Sequence, residues 1–319
     1  MMLSIALIVL RCPYAVAGSI VAWGSDLFGQ VSNVPSGTDF TAIAAGGQTA
    51  YALRGDGSIV AWGANPNDLV SNAPTETGFT ALAAGDIHAF ALRADGSIVA
   101  WGADNFGLIS ETPTGTGFKA IASKSYTGYA LRSDGSIVGW GWLSDGVPPS
   151  GDGFTAIAAA AYSALALRSD GSIAAWGNDS SEFVSDAPGG TGYRAIAAGS
   201  YNGYALQADG SITAWSAQSD PEGQVSQTPT GAGFTAITGG ELAAYALHRN
   251  GSIRAWGYDL FQQVSGTPTG RGFTAIAAGS DNGYALKSES SIVPEPAGYV
   301  LAGVGMLLLL WRRSCHHTP

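Results

Sequence analysis

The phrase GSIVAWG begins at Gly18, returns at Gly57 and returns again at Gly96. A fixed period constrains a fold more tightly than composition does. Each copy must adopt the same supersecondary unit and bury its faces against its neighbours. The tryptophan of the phrase stands at Trp23, Trp62, Trp101, Trp140, Trp176, Trp215 and Trp256, at intervals of 39, 39, 39, 36, 39 and 41 residues. A second phrase, FTAIAAG, recurs from Phe40, Phe79, Phe118, Phe154, Tyr193, Phe234 and Phe273. A third, YALR, recurs from Tyr51, Phe90, Tyr129, Leu165, Tyr204, Tyr245 and Tyr284. Every phrase has seven copies.

Each phrase is a short apolar or alternating run that breaks at Gly, Asp or Pro, which is a strand signal. Asp56-Gly57, Asp95-Gly96, Asp134-Gly135, Asp170-Gly171, Asp209-Gly210 and Asn250-Gly251 separate the third phrase from the first. Asp-Gly and Asn-Gly between apolar strands predict hairpins, so these acids are turn formers. One repeat thus reads as an antiparallel sheet of about four strands, with Val31-Ser32 and its equivalents as a short fourth. Such a sheet cannot bury both faces alone, and radial repetition solves this. The fold class is all-β, a seven-bladed β-propeller over 18–289. The Ala- and Gly-rich FTAIAAG phrase suits inner strands near the axis, and the bulky SIVAWG phrase suits outer ones, where the tryptophans fill space between blades. Ile20–Gly24 is expected to complete the blade of Phe273–Lys287 and close the ring.

The two ends follow a different grammar. Residues 1–17 read as a signal peptide: Met1–Leu10 is an apolar run, and Ala15 and Ala17 frame a small-x-small cleavage site before Gly18. Residues 290–296 read as a linker, and Ser291-Ile292-Val293 starts an eighth copy that stops at Pro294. Residues 297–313 read as a short transmembrane helix closed by Arg312 and Arg313, its basic end cytoplasmic, and 314–319 as a tail. Its apolar part, Ala297–Trp311, spans roughly 22 Å as a helix. Val293-Pro294-Glu295-Pro296 holds the chain extended just upstream. The order Pro-Glu-Pro, apolar helix, arginine pair resembles the PEP-CTERM sorting signal of Gram-negative bacteria. That resemblance implies an exosortase-type processing enzyme as partner, membrane anchoring before processing, and delivery to the cell surface or to an exopolysaccharide matrix.

The full pattern AWGxDxFGQVS…PTGTGFTAIAAGxxxxYALRxDGSI, from Gly18 to about Lys287, resembles the regulator-of-chromosome-condensation repeat. The resemblance implies a seven-bladed propeller. The bacterial branch it is most similar to includes a secreted inhibitor of β-lactamase, while eukaryotic members exchange nucleotide on a small GTPase and bind chromatin. The formal net charge of −10 argues against a nucleic-acid partner. The only cysteines are Cys12 and Cys315, so the body holds no disulfide framework, thiol nucleophile or cysteine metal site.

Within the body, no serine-hydrolase elbow, zincin, P-loop or EF-hand pattern occurs. No cofactor, metal or catalytic residue is expected. His248 falls in a column of surface polar residues, and His88 in a column of loop hydrogen-bonders with Thr49, Thr127, Ser163, Asn202 and Asn282. Asp26, Asp104, Asp179 and Asp259 recur after Trp-Gly, where Asx turns explain them better than calcium does. One loop column carries Tyr126, Tyr162 and Tyr201 on successive blades, and a second loop set adds Phe28, Phe106, Trp142, Tyr258 and Phe261. These rings should lie on one face around the propeller mouth, either as a protein- or glycan-binding surface or as packing over the blade tops. The expected function is that of an exported, non-enzymatic binding module, monomeric, at the envelope or in the matrix. A secreted inhibitor of a hydrolase and a polysaccharide-active enzyme are the alternatives.

Overall fold

The computed structural model describes residues 17–288, except 144–145, 180–181, 217–219 and 221. The cleavage-site residue Ala15, the sorting residues Val293, Pro294, Glu295, Pro296, Arg312 and Arg313, and the apolar segment 297–313 lie outside the described residues. Among the described residues no helix is long and apolar enough to cross a membrane.

Each repeat forms an inner, a middle and an outer strand, hydrogen-bonded in that order and antiparallel. Repeat one comprises Phe40–Gly46, Thr49–Arg54 and Ile59–Gly63. Repeat two comprises Phe79–Ala84, His88–Arg93 and Ile98–Gly102. Repeat three comprises Phe118–Lys124, Thr127–Arg132 and Ile137–Gly141. The inner and middle strands of repeats four to seven begin at Phe154 and Ser163, Tyr193 and Asn202, Phe234 and Ala243, and Phe273 and Asn282. Repeat seven takes its third strand from the other end of the described chain. Gly18–Gly24 pairs with Asn282–Ser288 along its whole length, from Gly18 opposite Ser288 to Gly24 opposite Asn282.

Burial follows from these positions. The middle strands are buried on both faces because a neighbouring repeat covers each one. Tyr51 and Leu53 of repeat one pack with Leu82, Ala89 and Trp101 of repeat two. The opposite face of repeat one, with Ile43, Ala50 and Trp62, packs with Ala277, Tyr284 and Leu286 of repeat seven. Five repeats set the tryptophan edge-on to an aromatic ring of the preceding one: Trp101 to Tyr51, Trp176 to Tyr129, Trp256 to Tyr204, Trp23 to Tyr245 and Trp62 to Tyr284, whereas Trp140 and Trp215 tilt against Phe90 and Phe183. The indole N–H groups of Trp23, Trp62, Trp101, Trp140, Trp215 and Trp256 donate to a loop carbonyl of the preceding repeat, as from Trp62 to Gln30 at 3.0 Å and from Trp101 to Leu69 at 3.0 Å. The tryptophans are therefore inter-repeat packing residues. The Ala- and Gly-rich phrase forms the inner strands, and all seven line a narrow central cavity of about 90 Å³.

One expectation fails. Val31-Ser32 and its equivalents are turns, and each described sheet has three strands per repeat. Asp26 Oδ1 accepts the backbone N–H groups of Val31 and Ser32 at 2.8 and 2.9 Å, so those donors are spent inside the loop and cannot start a fourth ladder.

Candidate binding face

The two ends of the strands are built differently. At one end, the turns between middle and outer strands repeat a single device. Asp56, Asp95, Asp134, Asp170, Asp209 and Asn250 each accept the N–H of the serine two residues on, at 2.8–2.9 Å. These bonds hold the exposed carboxylates Asp56, Asp95, Asp134, Asp170 and Asp209 below the usual carboxylate range. The glycine between them adopts φ between +78° and +89°, which explains its presence in every copy. A cation then covers the first ring of the inner strand. The Arg54, Arg93, Arg132 and Arg168 guanidiniums lie 4.7–5.5 Å from the centroids of Phe40, Phe79, Phe118 and Phe154, and Lys287 covers Phe273 at 5.8 Å. His248 takes the same place edge-on to Phe234.

The other end carries the loops that join inner to middle strands and the long loops that leave the outer strands. All eight aromatic residues singled out in the sequence lie here. They do not form one ring of side chains. Tyr126 meets Phe106 at 5.6 Å and Trp142 at 6.1 Å, and Phe106 meets Trp142 at 5.1 Å with the rings tilted by 31°. Tyr162 and Tyr201 form a separate pair at 6.5 Å. Phe106 and Trp142 are 56% and 39% exposed, so the triad presents ring area to solvent. Phe28, Tyr258 and Phe261 make no ring contact among the described residues. Ala17 is exposed just ahead of Gly18, which opens the first strand.

Phe28 and Phe106 occupy the same loop position, and the residue two places on separates them. In repeat seven's loop, the buried Gln30 side chain accepts the Phe28 N–H at 2.8 Å. Gln263 does the same for Phe261. Repeat two carries Leu108 there, which has no acceptor to offer. Its loop closes as a tight turn, Leu108 N–H to Asn105 carbonyl at 3.3 Å, and leaves Phe106 at φ +58°. Repeat one, with Leu69 in that place, closes the same way around Asn67 at φ +52°. Asn tolerates this left-handed region, whereas an aromatic residue there is strained.

A second strained residue precedes Tyr126. Repeats one and three carry inner strands of seven residues and two-residue turns. The first turn residue is Gly47 at φ +51° in one and Ser125 at φ +44° in the other. Ser125 is held from the neighbouring repeat: its Oγ donates to Asp86 at 3.2 Å, and Lys124 pairs with the same carboxylate at 3.8 Å. The exposed triad thus rests on two residues whose backbone is strained, a pattern found where structure serves a surface.

His88 is not a loop residue but the fully buried first residue of a middle strand. Its Nε2 lies 2.5 Å from Ser123 Oγ in repeat three. Burial lowers its pKa from 6.5 to about 4, against the opposing pull of Asp86. Thr49 and Ser163 in the same column donate to the loop carbonyls of Ala64 and Asn178 at 2.8 Å. Three of the loops that join inner to middle strands carry carboxylates, Asp86, Glu241 and Asp281. Burial and neighbouring Glu241 raise the Asp281 pKa, and burial, Tyr162, Glu241 and Asp86 raise that of Tyr201. The loop carboxylates Asp26, Asp104, Asp179 and Asp259 each clamp two backbone N–H groups, with one oxygen accepting both at 2.8–3.0 Å. Among the described residues no group of three or more His, Cys, Asp or Glu side chains is placed to hold a metal ion.

Residues 79–108 match the model of the regulator of chromosome condensation (RCC1) repeat. Solved structures with the same fold include human WBSCR16, at 14% identity over 86% of this chain and 100% of that one, with a TM-score of 0.69. Prp20p of Saccharomyces cerevisiae, whose binding to Gsp1p and histones has been characterised, gives 15% identity, 87% and 95% coverage and a TM-score of 0.67. The ectodomain of the Arabidopsis thaliana receptor kinase ACR4 gives 22% identity, 76% and 88% coverage and a TM-score of 0.64. No curated protein sequence matches the chain. The fold is that of an RCC1-type repeat propeller.

Proposed function

We propose that this chain is a non-enzymatic binding propeller of seven blades, closed by its first strand, that works after export from the cytoplasm. The observation that carries the binding reading is the Phe106–Tyr126–Trp142 triad. Three aromatic rings in mutual contact, two of them well exposed, are gathered from three loops next to strand ends, with left-handed backbone at Phe106 itself and at Ser125 beside Tyr126. Rigid aromatic clusters on such a support are the usual anchors of macromolecular recognition. Protein ligands are known for a protein of this fold, since Prp20p binds Gsp1p and histones.

Export rests on the ends of the sequence. Residues 1–17 supply a signal peptide and Val293–Pro296 with Arg312-Arg313 the PEP-CTERM-like signal for an exosortase-type enzyme. The mature propeller then resides at the cell surface or in the surrounding matrix. Mass spectrometry of the protein recovered from envelope and medium tests the address: the expected product begins at Gly18 and ends near the Pro-Glu-Pro motif, and an intact chain in the cytoplasm overturns it. Glycan arrays and purified-protein binding assays with wild type and Phe106→Ala/Trp142→Ala test the face. A ligand lost on that double substitution supports the reading, and one bound equally by both forms overturns it.

A further inference from the structure

The charges of the described chain are segregated between the two ends of its strands. At the turn end, arginines and Lys287 alternate with the turn aspartates, so both signs are interspersed. At the loop end, the long loops that leave the outer strands carry carboxylates such as Asp26, Asp104, Asp179 and Asp259, and three of the loops that join inner to middle strands add Asp86, Glu241 and Asp281. Lys124 is the one lysine or arginine there among the described residues, and Asp86 pairs with it. Among the described residues the excess of negative charge therefore lies on the aromatic-bearing face.

Resting on the binding reading above, we propose that this face docks a protein with a basic surface, one of whose arginines stacks on the Phe106–Trp142 platform while the loop carboxylates steer and rim the contact. Three features select this occupant. The rings stand 5.1–6.1 Å apart and fill the space between them, so they offer an outer surface for a planar guanidinium rather than a cage for a small ammonium ligand. The loop carboxylates hold backbone N–H groups with one oxygen and keep the other free, and a guanidinium or ammonium draws on both its hydrogen bond and its charge, whereas a neutral glycan draws on the hydrogen bond alone. An acidic polymer is repelled, and a second copy of this chain brings only the mixed-sign turn end or another acidic face.

The molecule supplies its own conservative substitutions for a test. Asn65 replaces the loop aspartate in repeat one and still accepts the N–H groups of Val70 and Ser71. Asn250 replaces the turn aspartate and still accepts that of Ser252. Aspartate-to-asparagine changes at either end thus remove charge and keep the clamp. The full chain is titrated with octaarginine and octalysine at low and moderate salt. Octaarginine binds about threefold or more tighter than octalysine, and Trp142→Ala removes that preference. The triple variant Asp104→Asn/Asp179→Asn/Asp259→Asn weakens both peptides about tenfold. The turn-end triple Asp95→Asn/Asp134→Asn/Asp209→Asn leaves both within about twofold. Equal weakening by the two triples overturns the inference, because bulk charge then explains the binding. If neutral cellohexaose binds in a Trp142-dependent way and octaarginine does not, the basic partner falls while the binding face stands. If Trp142→Ala alters neither probe, both fall.

Discussion

The two ends of the strands come from the same seven repeats, yet one end copies itself and the other does not. At the turn end six hairpins share one side-chain bond and one left-handed glycine, and in four of them an arginine also covers the first ring of the inner strand. At the loop end, equivalent positions hold Phe28, Asn67, Phe106 and Phe261, in two loop conformations. Repetition marks positions that every repeat needs in order to pack. Divergence marks positions released from packing and available to a ligand. This division predicts large, uniform effects for the shared scaffold and small effects on stability for the divergent face.

The largest effect belongs to the repeated tryptophans. Trp101 is 5% exposed, meets Tyr51 edge-on and donates to the Leu69 carbonyl. Trp101→Ala should cost about 3–5 kcal/mol in urea unfolding. Trp142→Ala, on the divergent face, should cost less than about 1 kcal/mol. Similar losses for both would erase the distinction between the two kinds of tryptophan.

His88 is the sharpest departure inside a shared column. The folded protein keeps it neutral down to about pH 4, whereas the unfolded chain protonates it near 6.5. The unfolded state therefore binds more protons between those values, and stability must fall as pH drops from 6.5 toward 4, by about 3 kcal/mol. His88→Asn, which installs the residue found at 202 and 282 in that column, should flatten this slope. An unchanged slope in the variant would assign the pH dependence to the carboxylates.

Glycines allow a finer test, because two left-handed glycines meet unequal space. A Cβ on Gly96 (φ +81°) would stand 2.6–2.7 Å from the backbone of Gly117 and Phe118, where the turn of one repeat abuts the next. A Cβ on Gly115 (φ +97°) meets nothing within 4 Å. Both alanine variants carry the left-handed strain of about 1–2 kcal/mol. Gly96→Ala should cost about 2 kcal/mol more, since packed backbone must shift. Thermal unfolding of the pair separates strain from crowding.

The scaffold was legible in the sequence because its causes are local and repeated. Asp-Gly specifies a hairpin wherever it falls between apolar runs, and Ala-rich inner strands and Trp-bearing outer strands follow from the space each position must fill. The candidate site was legible only as a set of aromatic residues. Which of them meet depends on a neighbour of another kind: Gln30 or Gln263 holds one loop form by accepting a backbone N–H, and Leu108 cannot. The difference between FGQ and FGL was present in the sequence, but its meaning needs the loop geometry. Val31-Ser32 misled for a related reason. Its apolar-polar pair resembles a strand edge, while the carboxylate of Asp26, five residues upstream, captures the donors a strand would use. His88 misled because a column average says nothing of a ring reaching into the next repeat toward Ser123.

The smallest effect tests whether the divergent face is held at a cost. Phe106 and Asn67 share a loop form at φ +58° and +52°. Phe106→Ala removes the ring contacts with Tyr126 and Trp142 and keeps a residue that dislikes the left-handed region. Phe106→Asn removes the same contacts and installs the side chain that repeat one uses there. The two variants thus differ chiefly in backbone strain, and the asparagine form should be the more stable by about 0.5–1 kcal/mol in chemical denaturation. Ligand binding at the triad should suffer equally in both, because both lack the ring. Equal stabilities would mean that the loop relaxes once the ring is gone, so that the strain belongs to the aromatic contact and not to the loop. An asparagine variant more stable than wild type itself would be the strongest outcome. It would show that this position gives up folding stability to keep an aromatic ring exposed on the surface.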